Sequence, residues 1–364
     1  MKAAVFYGLE EPLKVEELEV PKPQAGEVLV KLAATGVCHT DYAVLTGAMP
    51  APPPIVLGHE GAGIVQEIGP GVTTVKPGDH VVLFVMPACG KCRNCLAGKS
   101  YICDTASLVI LAGTMMDGTT RLVRIDGESV NSYFCQASFA EYAVVHELAA
   151  AKVPDDVPLD KACLLGCGTS TGVGAVINKA KVPAGATVVI IGCGGVGQST
   201  IMGARLATAS RIFAVDVLDW KLEVAKQLGA TDTINATKES PLDRIQEETM
   251  GGVDYAFECI GKPETIALAL DCVRSGGTAV AIGMVPYGTM VPIDGAFLLF
   301  DKTLTGCLGG SSRAGIDIPC YAELYKAGKL PLDKLVTKNY KLEEINEAFE
   351  ALERGEIVRG VIVF

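Results

Sequence analysis

The chain has 364 residues and a formal net charge of −11, with 42 acidic and 31 basic side chains. A single hydrophobic core stops growing near ~250–300 residues, so this length predicts two domains. The acidic surplus disfavours a nucleic-acid partner, and no apolar run approaches the ~20 residues that a membrane span needs. The N-terminal run is too short for a secretory signal and is soon interrupted by Glu10 and Glu11. We therefore expect a cytoplasmic protein.

Thirteen cysteines are unusual for such a chain. An odd count without a secretory signal favours metal ligands and buried free thiols over disulfides. Six cysteines stand singly in apolar or loop segments, where the thiol commonly acts as a small buried hydrophobe. These six are Cys163, Cys193, Cys259, Cys272, Cys307 and Cys320.

The first half of the chain predicts strands and turns. Short β-like runs occur at Val28–Leu32, Ile64–Ile68 and His80–Val85, separated by glycine- and proline-containing turns. No sustained helical period is visible there, so we expect this half to be β-rich.

From about residue 170, apolar strands alternate with helices, which is typical of a parallel sheet covered on both faces. The tail lies outside this alternation, and we expect it to return to the first domain. The predicted strands are Thr187–Gly192, Arg211–Asp216, Val253–Ile260, Thr278–Met284 and Gly360–Phe364; the predicted helices are 195–207, Trp220–Leu228, Pro263–Val273, Ile318–Ala327 and Leu342–Arg354.

A glycine-rich motif, G-C-G-G-V-G, follows one of these strands and opens a helix. Its glycines allow a tight turn and a close approach of backbone to a pyrophosphate at the helix N-terminus. Asp216 ends the next strand, where a carboxylate can bind a ribose 2′-hydroxyl and would repel a 2′-phosphate. A plain turn followed by a solvated acid is the alternative. The order of strand, glycines, helix and acid favours NAD, with Gly192, Gly194, Gly195, Val196, Gly197 and Asp216 as binding residues.

Four cysteines in one short loop, Cys89, Cys92, Cys95 and Cys103, have the spacing C-x2-C-x2-C-x7-C. Four thiolates so close together can complete a tetrahedral zinc shell, which leaves no open position for substrate. We expect a structural zinc at this lobe, with an iron–sulfur cluster as the alternative that spacing alone leaves open.

Three further candidate ligands come from distant segments: Cys38, His59 and Cys167. Three protein ligands leave one position for water or substrate, as catalytic zinc requires. Each residue is a weak signal when it is taken singly, because a lone histidine is more often a core or surface residue.

The segments together resemble the zinc-containing alcohol dehydrogenase family of the medium-chain dehydrogenases and reductases, and the resemblance runs from end to end. It is carried by Cys38–Asp41, by the zinc signature that begins at Gly58-His59-Glu60, by the four-cysteine lobe, by 164–172 and by the glycine motif. The family implies a Rossmann coenzyme domain at 168–308. It also implies a β-rich, GroES-like catalytic domain at 1–167, completed by 309–364.

The resemblance also implies roles for individual residues. Cys38, His59 and Cys167 correspond to the catalytic zinc ligands of the family. Two cysteines and a histidine are a known ligand set for catalytic zinc. Glu60 lies behind the metal, Asp41 orients His59, and Thr40 receives the alcohol proton. His39 and Arg359 correspond to pyrophosphate contacts, and Lys221 corresponds to an adenosine-ribose contact.

The implied reaction is the reversible oxidation of an alcohol with hydride transfer to NAD, supported by two zinc ions per subunit. The histidine that ends the proton path in many animal members is replaced by Ala43, so the path beyond Thr40 stays open.

The long segment between Cys103 and Ala140 is most similar to the class III, glutathione-dependent formaldehyde dehydrogenase branch. That branch binds its adduct through an acidic residue and an arginine, and Met49 and Ser107 stand at those positions. The loss of both charges disfavours a charged thiol adduct. We expect primary alcohols of medium size, aromatic or allylic ones included, in an apolar pocket lined by Met49, Val85, Met86, Leu108, Val285 and Leu308.

The alternatives are S-(hydroxymethyl)glutathione oxidation, a polyol dehydrogenase, and a zincless reductase or non-catalytic member of the same fold. Both a zincless reductase and a non-catalytic member would be expected to lack catalytic zinc ligands. The resemblance also implies a homodimer formed through strands near Thr278–Met290 and Thr303–Leu308, because pairing of sheet edges removes exposed hydrogen-bonding groups. The sequence leaves a tetramer open.

Overall fold

The computed structural model describes residues 1–9 and 11–364. The chain divides into two compact units, Met1–Cys167 with Ser312–Phe364, and Gly168–Ser311. Contacts within each unit define this division. The catalytic role of the first part and the coenzyme role of the second stay predictions. So does the predicted boundary at 308/309, where the chain returns to the first domain.

In its described residues, the first run of the first unit consists of strands with four brief α-helices and several short 3₁₀ turns. Its elements are β1 (Lys2–Phe6), β2 (Lys14–Glu17), β3 (Glu27–Val37), α1 (His39–Leu45), β4 (Ile55–Val56), β5 (Gly61–Ile68), β6 (His80–Leu83), α2 (Arg93–Leu96), α3 (Asp104–Ala112), β7 (Leu122–Val123), β8 (Ser129–Ser132), β9 (Tyr142–His146), β10 (Ala150–Lys152) and α4 (Leu159–Ala162).

This half is β-rich as predicted, but the reading of strands and turns did not identify the helices α1 and α3. With seven residues, α1 is too short to show a helical period. α3 has nine residues, and the last five, Leu108 to Ala112, are all apolar. Apolar side chains therefore occur on its exposed and its buried faces alike. An amphipathic pattern is what reveals a helix in sequence, and neither segment has one.

The second unit alternates helices with parallel strands. Its elements are α5 (Gly168–Gly174), β11 (Thr187–Ile191), α6 (Gly195–Leu206), β12 (Arg211–Asp216), α7 (Asp219–Leu228), β13 (Asp232–Asn235), α8 (Pro241–Thr249), β14 (Val253–Glu258), α9 (Pro263–Cys272), β15 (Val273–Ala281) and β16 (Thr303–Gly306).

All neighbouring strands of this unit pair in parallel, in the order β13-β12-β11-β14-β15-β16. The order reverses at β11, which is the doubly wound arrangement whose crevice at the carboxyl ends of the strands binds nucleotides. Val189, Phe213 and Ala256, on three neighbouring strands, are completely buried and form part of the core of this unit. The parallel sheet predicted from the alternation is therefore confirmed, whereas β13 and α8 were not identified in the sequence.

The chain then returns to the first unit through α10 (Ala314–Lys326), β17 (Val336–Tyr340), α11 (Ile345–Glu353) and β18 (Arg359–Val363). β18 pairs with the carboxyl half of β3, with Gly360 opposite Val37. The last strand therefore lies beside the segment that carries Cys38, as the predicted return of the tail requires.

Two sheets organise the first unit. The larger follows the order β10-β6-β5-β3-β18-β17, with β9 also paired to β3, and the smaller follows β2-β1-β4-β8-β7. The buried side chains of Val28, Val65 and Val81 pack together in the core of the larger sheet. This sheet is the scaffold on which the candidate active site lies.

Candidate active site and nucleotide loop

The four cysteines of the lobe lie together in the structure. One ligand atom from each of Cys89, Cys92, Cys95 and Cys103 lies within 4.8 Å of the others. Backbone N–H groups donate to the sulfurs, from Cys92 to Cys89 Sγ at 3.3 Å and from Cys95 to Cys92 Sγ at 3.4 Å. Burial opposes ionisation of Cys89, but N–H donors of Lys91 and Cys92 outweigh it and lower its pKa to about 6. Four sulfurs this close together, with the Cys89 thiolate stabilised by N–H donors, fit a zinc ion.

A second group of candidate ligands is assembled from three separate segments. Cys38 lies between β3 and α1, and His59 and Glu60 directly precede β5. Cys167 follows a short 3₁₀ turn at Cys163–Gly166. One ligand atom from each of the four residues lies within 4.8 Å of the others. His59 and Glu60 are fully buried, and Cys38 is nearly so. The structure therefore brings together the three predicted ligands and places Glu60 with them.

The hydrogen bonds of His59 test whether this group fits a metal. Its Nδ1 lies 3.0 Å from Asp41 Oδ1, which also accepts the Gly58 N–H at 3.0 Å. Its Nε2 is buried and has no hydrogen-bond partner. A hydrogen bond from the Cys167 thiol, helped by the charges of His59 and Arg359, lowers the pKa of Cys38 well below its usual value in spite of burial. A histidine held by a carboxylate and facing two cysteine sulfurs is a typical zinc-ligand arrangement.

Glu60 forms a buried ion pair with Arg359 of β18. Burial raises the pKa of Glu60 to about 7, against the opposing charge of Arg359. A Cβ on Gly36 would lie 2.1 Å from Glu60 Oε2 and 2.8 Å from the Arg359 guanidinium, so only glycine leaves room for the pair. Arg359 thus contacts Glu60 in the structure, and its contact with a pyrophosphate stays a prediction.

Thr40 and Met49 meet at the hydroxyl of Tyr133. This hydroxyl lies 3.3 Å from the Thr40 carbonyl oxygen and 3.2 Å from Met49 Sδ. Thr40 is half-buried in α1, in the turn that follows Cys38, whereas its neighbour His39 is exposed. Tyr133 therefore bonds both to the predicted proton acceptor, two residues after Cys38, and to one predicted pocket residue.

The other predicted pocket residues are in different environments. Val85 and Met86 are buried, and the Val85 N–H donates to the Gly166 carbonyl at 2.8 Å, one residue before Cys167. Leu108 lies on α3 with 72% of its surface exposed. Val285 and Leu308 belong to the second unit, where Val285 is half-buried and Leu308 is 47% exposed. The pocket roles of all six residues, Met49, Val85 and Met86 included, stay predictions.

The glycine motif joins β11 to α6 as the sequence indicates. Gly192 has a φ of +92°, which favours glycine, and a Cβ on Gly197 would lie 1.8 Å from the Gly192 carbonyl oxygen. A Cβ on Gly194 would meet nothing within 4 Å, so the backbone there is open to a ligand. Gly195 and Val196 form the first turn of α6. This cradle fits the pyrophosphate of a dinucleotide.

Asp216 connects the glycine loop to the next βα turn. Its Oδ2 accepts the Cys193 N–H at 2.7 Å, and its Oδ1 accepts those of Val217 at 2.8 Å and Leu218 at 3.0 Å. Lys221 lies in the first turn of α7. The acid thus has the position at the end of β12 from which it would meet a ribose.

Sequence reasoning missed three buried polar or aromatic residues beside these sites, namely Gln198, Tyr133 and Gln136. Gln198 Nε2 donates to the carbonyls of Cys193 at 3.1 Å and Lys221 at 2.8 Å, which ties the glycine loop to α7. A long polar side chain directly after the glycine motif, at the start of the helix, was the available signal for Gln198. Tyr133 and Gln136 lie in a segment that shows no motif, so the sequence gives no comparable signal for them.

Comparison with known proteins agrees with this geometry. The alcohol dehydrogenase GroES-like domain family matches residues 24–155, and the zinc-binding dehydrogenase family matches residues 195–326. The S-(hydroxymethyl)glutathione dehydrogenase of Paracoccus denitrificans is 39% identical over 100% of this chain and 99% of its own length.

Two solved structures are similar over the whole chain. The benzyl alcohol dehydrogenase of Acinetobacter calcoaceticus has a TM-score of 0.95 at 39% identity, covering 100% of this chain and 99% of that one. An alcohol dehydrogenase zinc-binding domain protein of Burkholderia ambifaria has a TM-score of 0.96 at 40% identity, covering 100% and 98%.

A two-part fold with a Rossmann sheet, a GroES-like unit and two groups of zinc-type ligands defines a medium-chain dehydrogenase. The chain belongs to the zinc-containing alcohol dehydrogenase family, and it is an NAD-dependent oxidoreductase with zinc and NAD as cofactors. The predictions of family, fold class, enzyme class and cofactors are confirmed, and zinc is favoured over an iron–sulfur cluster at the four cysteines. Among the described residues, no helix has both the length and the apolar character to cross a membrane.

Proposed function

We propose that this enzyme reversibly oxidises primary alcohols of medium size, including aromatic and allylic alcohols, to aldehydes with NAD. The observation that carries the reaction is the clustering of Cys38, His59 and Cys167, in which the buried His59 Nε2 has no hydrogen-bond partner. We assign this chemistry to the first unit and coenzyme binding to the second.

In this proposal Cys38, His59 and Cys167 hold the catalytic zinc, which supplies a Lewis acid when bound. Asp41 fixes the orientation and tautomer of His59 through the 3.0 Å bond to Nδ1. The Thr40 hydroxyl takes the proton of the alcohol. Ala43 offers no titratable group beyond Thr40, so the proton leaves through the cofactor ribose or water.

The lobe cysteines Cys89, Cys92, Cys95 and Cys103 hold the structural zinc. The glycine loop holds the NAD pyrophosphate with help from His39 and Arg359, and the nicotinamide is the hydride acceptor. Asp216 and Lys221 bind the adenosine ribose. A carboxylate at position 216 selects NAD over NADP because it would repel a 2′-phosphate.

The substrate assignment depends on two positions that lack charge. Met49 accepts from the Tyr133 hydroxyl beside Thr40, and Ser107 bonds to the Cys103 carbonyl at 3.3 Å. Neither side chain could pair with a charged glutathione adduct. Similarity to a benzyl alcohol dehydrogenase supports an aromatic alcohol. The matching S-(hydroxymethyl)glutathione dehydrogenase makes the glutathione adduct the second candidate.

The deciding experiment measures NADH formation by the zinc-loaded enzyme with ethanol, hexanol, benzyl alcohol, geraniol, sorbitol and S-(hydroxymethyl)glutathione. We expect turnover of the apolar alcohols and a preference for NAD over NADP. A double variant, Met49→Asp with Ser107→Arg, should gain activity with the adduct at the expense of benzyl alcohol. Wild-type turnover of the adduct alone would overturn the substrate assignment.

We also propose that the enzyme is a cytoplasmic homodimer that pairs through the β16 edge of the second unit. β16 is the last strand of its sheet, and the preceding segment exposes Tyr287, Met290 and Leu299 by more than 80% each. Pairing would cover both the edge and this apolar surface. Light scattering should give a dimer mass for the wild type and a monomer mass for Leu299→Arg; a tetramer mass would overturn the dimer assignment.

A further inference from the structure

A buried turn at Tyr133–Phe139, the bracing turn, has an unusual backbone. Phe134, Cys135 and Ala137 all have left-handed φ values, between 52° and 55°. None of the three is glycine, so each pays a steric penalty that surrounding contacts must offset. All three are buried. A strained segment of this kind persists only where several interactions hold it, and those interactions identify what the turn supports.

The bracing turn is bonded along the whole segment that carries His59 and Glu60. The Phe139 N–H donates to the Leu57 carbonyl and the Ser138 N–H to the Gly58 carbonyl, both at 3.0 Å. On the far side of His59, the Gly61 N–H donates to Gln136 Oε1 at 2.8 Å. Bonds therefore flank the proposed zinc ligand on both sides.

Two aromatic rings of the same turn pack on the imidazole. The His59 ring centroid lies 5.2 Å from that of Phe134 and 6.0 Å from that of Tyr133, and the two aromatic rings contact edge to face at 4.7 Å. The turn thus restrains the ring of His59 as well as its backbone.

Gln136 is the one side chain of the turn that bonds directly to this backbone. It is 2% exposed. Its Oε1 accepts from Gly61, and its Nε2 lies 3.5 Å from the carbonyl oxygen of Leu83, the last residue of β6. A donor on one side and an acceptor on the other fix the orientation of the amide. Gln136 therefore connects the start of β5, next to Glu60, to the end of β6, two residues before Val85.

We propose that Gln136 is a positioning residue for the catalytic metal centre. It holds the backbone after His59 and Glu60 against the strained turn, and this sets where the imidazole and the carboxylate point. The inference rests on the proposed function, because it concerns the zinc held by Cys38, His59 and Cys167. Groups that hydrogen-bond directly to metal ligands change metal affinity or activity by about 10–100-fold when they are replaced, and Gln136, which acts through the neighbouring backbone, is expected at the low end of that range.

The test is the rate at which a chelator removes zinc from Gln136→Met, which keeps the length of the side chain and removes both bonds. Ser138→Ala is the matched control, since it removes a buried hydroxyl bond of the same turn, to Thr35 at 2.8 Å, on the side of β3. We expect the catalytic zinc to leave roughly tenfold faster from Gln136→Met. Ser138→Ala should release it within about twofold of the wild-type rate, and the structural zinc should be retained by both variants. The kcat for alcohol should fall in Gln136→Met with little change in the KM for NAD.

An unchanged rate of zinc release from a folded Gln136→Met would overturn the positioning role. If that variant does not fold, Gln136→Asn keeps an amide but shortens it by one methylene, and the same acceleration is expected; an unchanged rate would again overturn the inference. Wild-type protein that binds a single zinc would overturn the catalytic zinc of the proposed function, and this inference with it. Two zincs in the wild type with normal release from the variants would overturn this inference alone.

Discussion

The two groups of zinc-type ligands differ in how the chain builds them. The lobe takes Cys89, Cys92, Cys95 and Cys103 from 15 consecutive residues, and its sulfurs accept hydrogen bonds from the N–H groups of the same loop. The group proposed as catalytic takes Cys38, His59 and Cys167 from segments that only the folded sheet brings together. Its partners come from two further places, Asp41 from α1 beside Cys38 and Arg359 from the C-terminal strand β18.

This difference shows that a metal can either order the segment that binds it or bind to ligands that the fold has already ordered. In the lobe, ligands are already close in sequence, so zinc orders a loop that has little core of its own. In the catalytic group, the strands place the ligands and the metal adds chemistry. Removing a ligand should therefore lower stability at the lobe and activity at the assembled site.

The largest expected effect is at the assembled site. Cys38→Ser should abolish alcohol oxidation and reduce bound zinc from two ions to one per chain, because a hydroxyl is a poor substitute for a thiolate ligand. Circular dichroism should show an intact fold, since β3 and β18 still pair around this position. Activity of Cys38→Ser at the wild-type level would disprove the ligand assignment.

Next in size is the lobe. Cys92→Ser removes one zinc ligand and the sulfur that accepts the Cys95 N–H at 3.4 Å. Loss of a structural metal belongs to the largest class of destabilising changes, and we expect about 2–3 kcal/mol. The Tm should fall by roughly 5–10 °C in calorimetry, because ~1 kcal/mol shifts Tm by about 2–4 °C in domains of 150–250 residues. An unchanged Tm would mean that the lobe needs no metal.

A smaller effect is expected at Asp41, which is close in sequence to the ligand Cys38 but bonds to the distant ligand His59. Asp41→Asn keeps an oxygen for Gly58 N–H and His59 Nδ1 but removes the negative charge behind the imidazole. The affinity of the catalytic zinc should fall about tenfold, at the low end for partners of metal ligands. Chelator competition measures this change, and the Tm should change much less than in Cys92→Ser. A Tm loss as large as that of Cys92→Ser would contradict the contrast between the two sites.

The smallest effect concerns the segment that joins the lobe to the main sheet. Arg121 there pairs with Glu27 of β3 at 2.9 Å and with Asp117 at 2.7 Å. Burial opposes ionisation of Asp117, but hydrogen bonds from Arg121 and Thr119 outweigh it and lower the pKa to about 2. A pKa depressed in the folded state stabilises the protein above the unfolded pKa of about 4, and the contribution is lost as the pH falls through about 2.

Asp117→Asn should therefore lower the free energy of unfolding by less than about 1 kcal/mol, since this carboxylate is half exposed to solvent. The difference from the wild type, measured by urea unfolding, should be constant from pH 5 to pH 8 and shrink only in more acidic solution. A difference that disappears between pH 6 and pH 7 would point to another group.

Several features could be predicted from the sequence because neighbouring residues encode them. The glycine motif follows β11 and opens α6 within a few residues, and the cysteine lobe closes within one loop. Strand and helix alternation gave the parallel sheet for the same reason, because each βα unit is local. α1 and α3 were missed because neither segment has the amphipathic period on which such a prediction depends.

Tertiary structure decided what no local pattern encodes. The Tyr133–Phe139 turn lies against His59 although positions 59 and 133 are 74 residues apart. Its left-handed residues are not glycines, so the sequence gives no sign of this backbone conformation. Arg359 meets Glu60 only because β18 pairs with β3. The sequence by itself thus determined which chemistry the chain carries, since ligand types and glycine spacing are local. The orientation of those ligands depends on hydrogen bonds and packing between distant segments, which exist only once the sheets have formed.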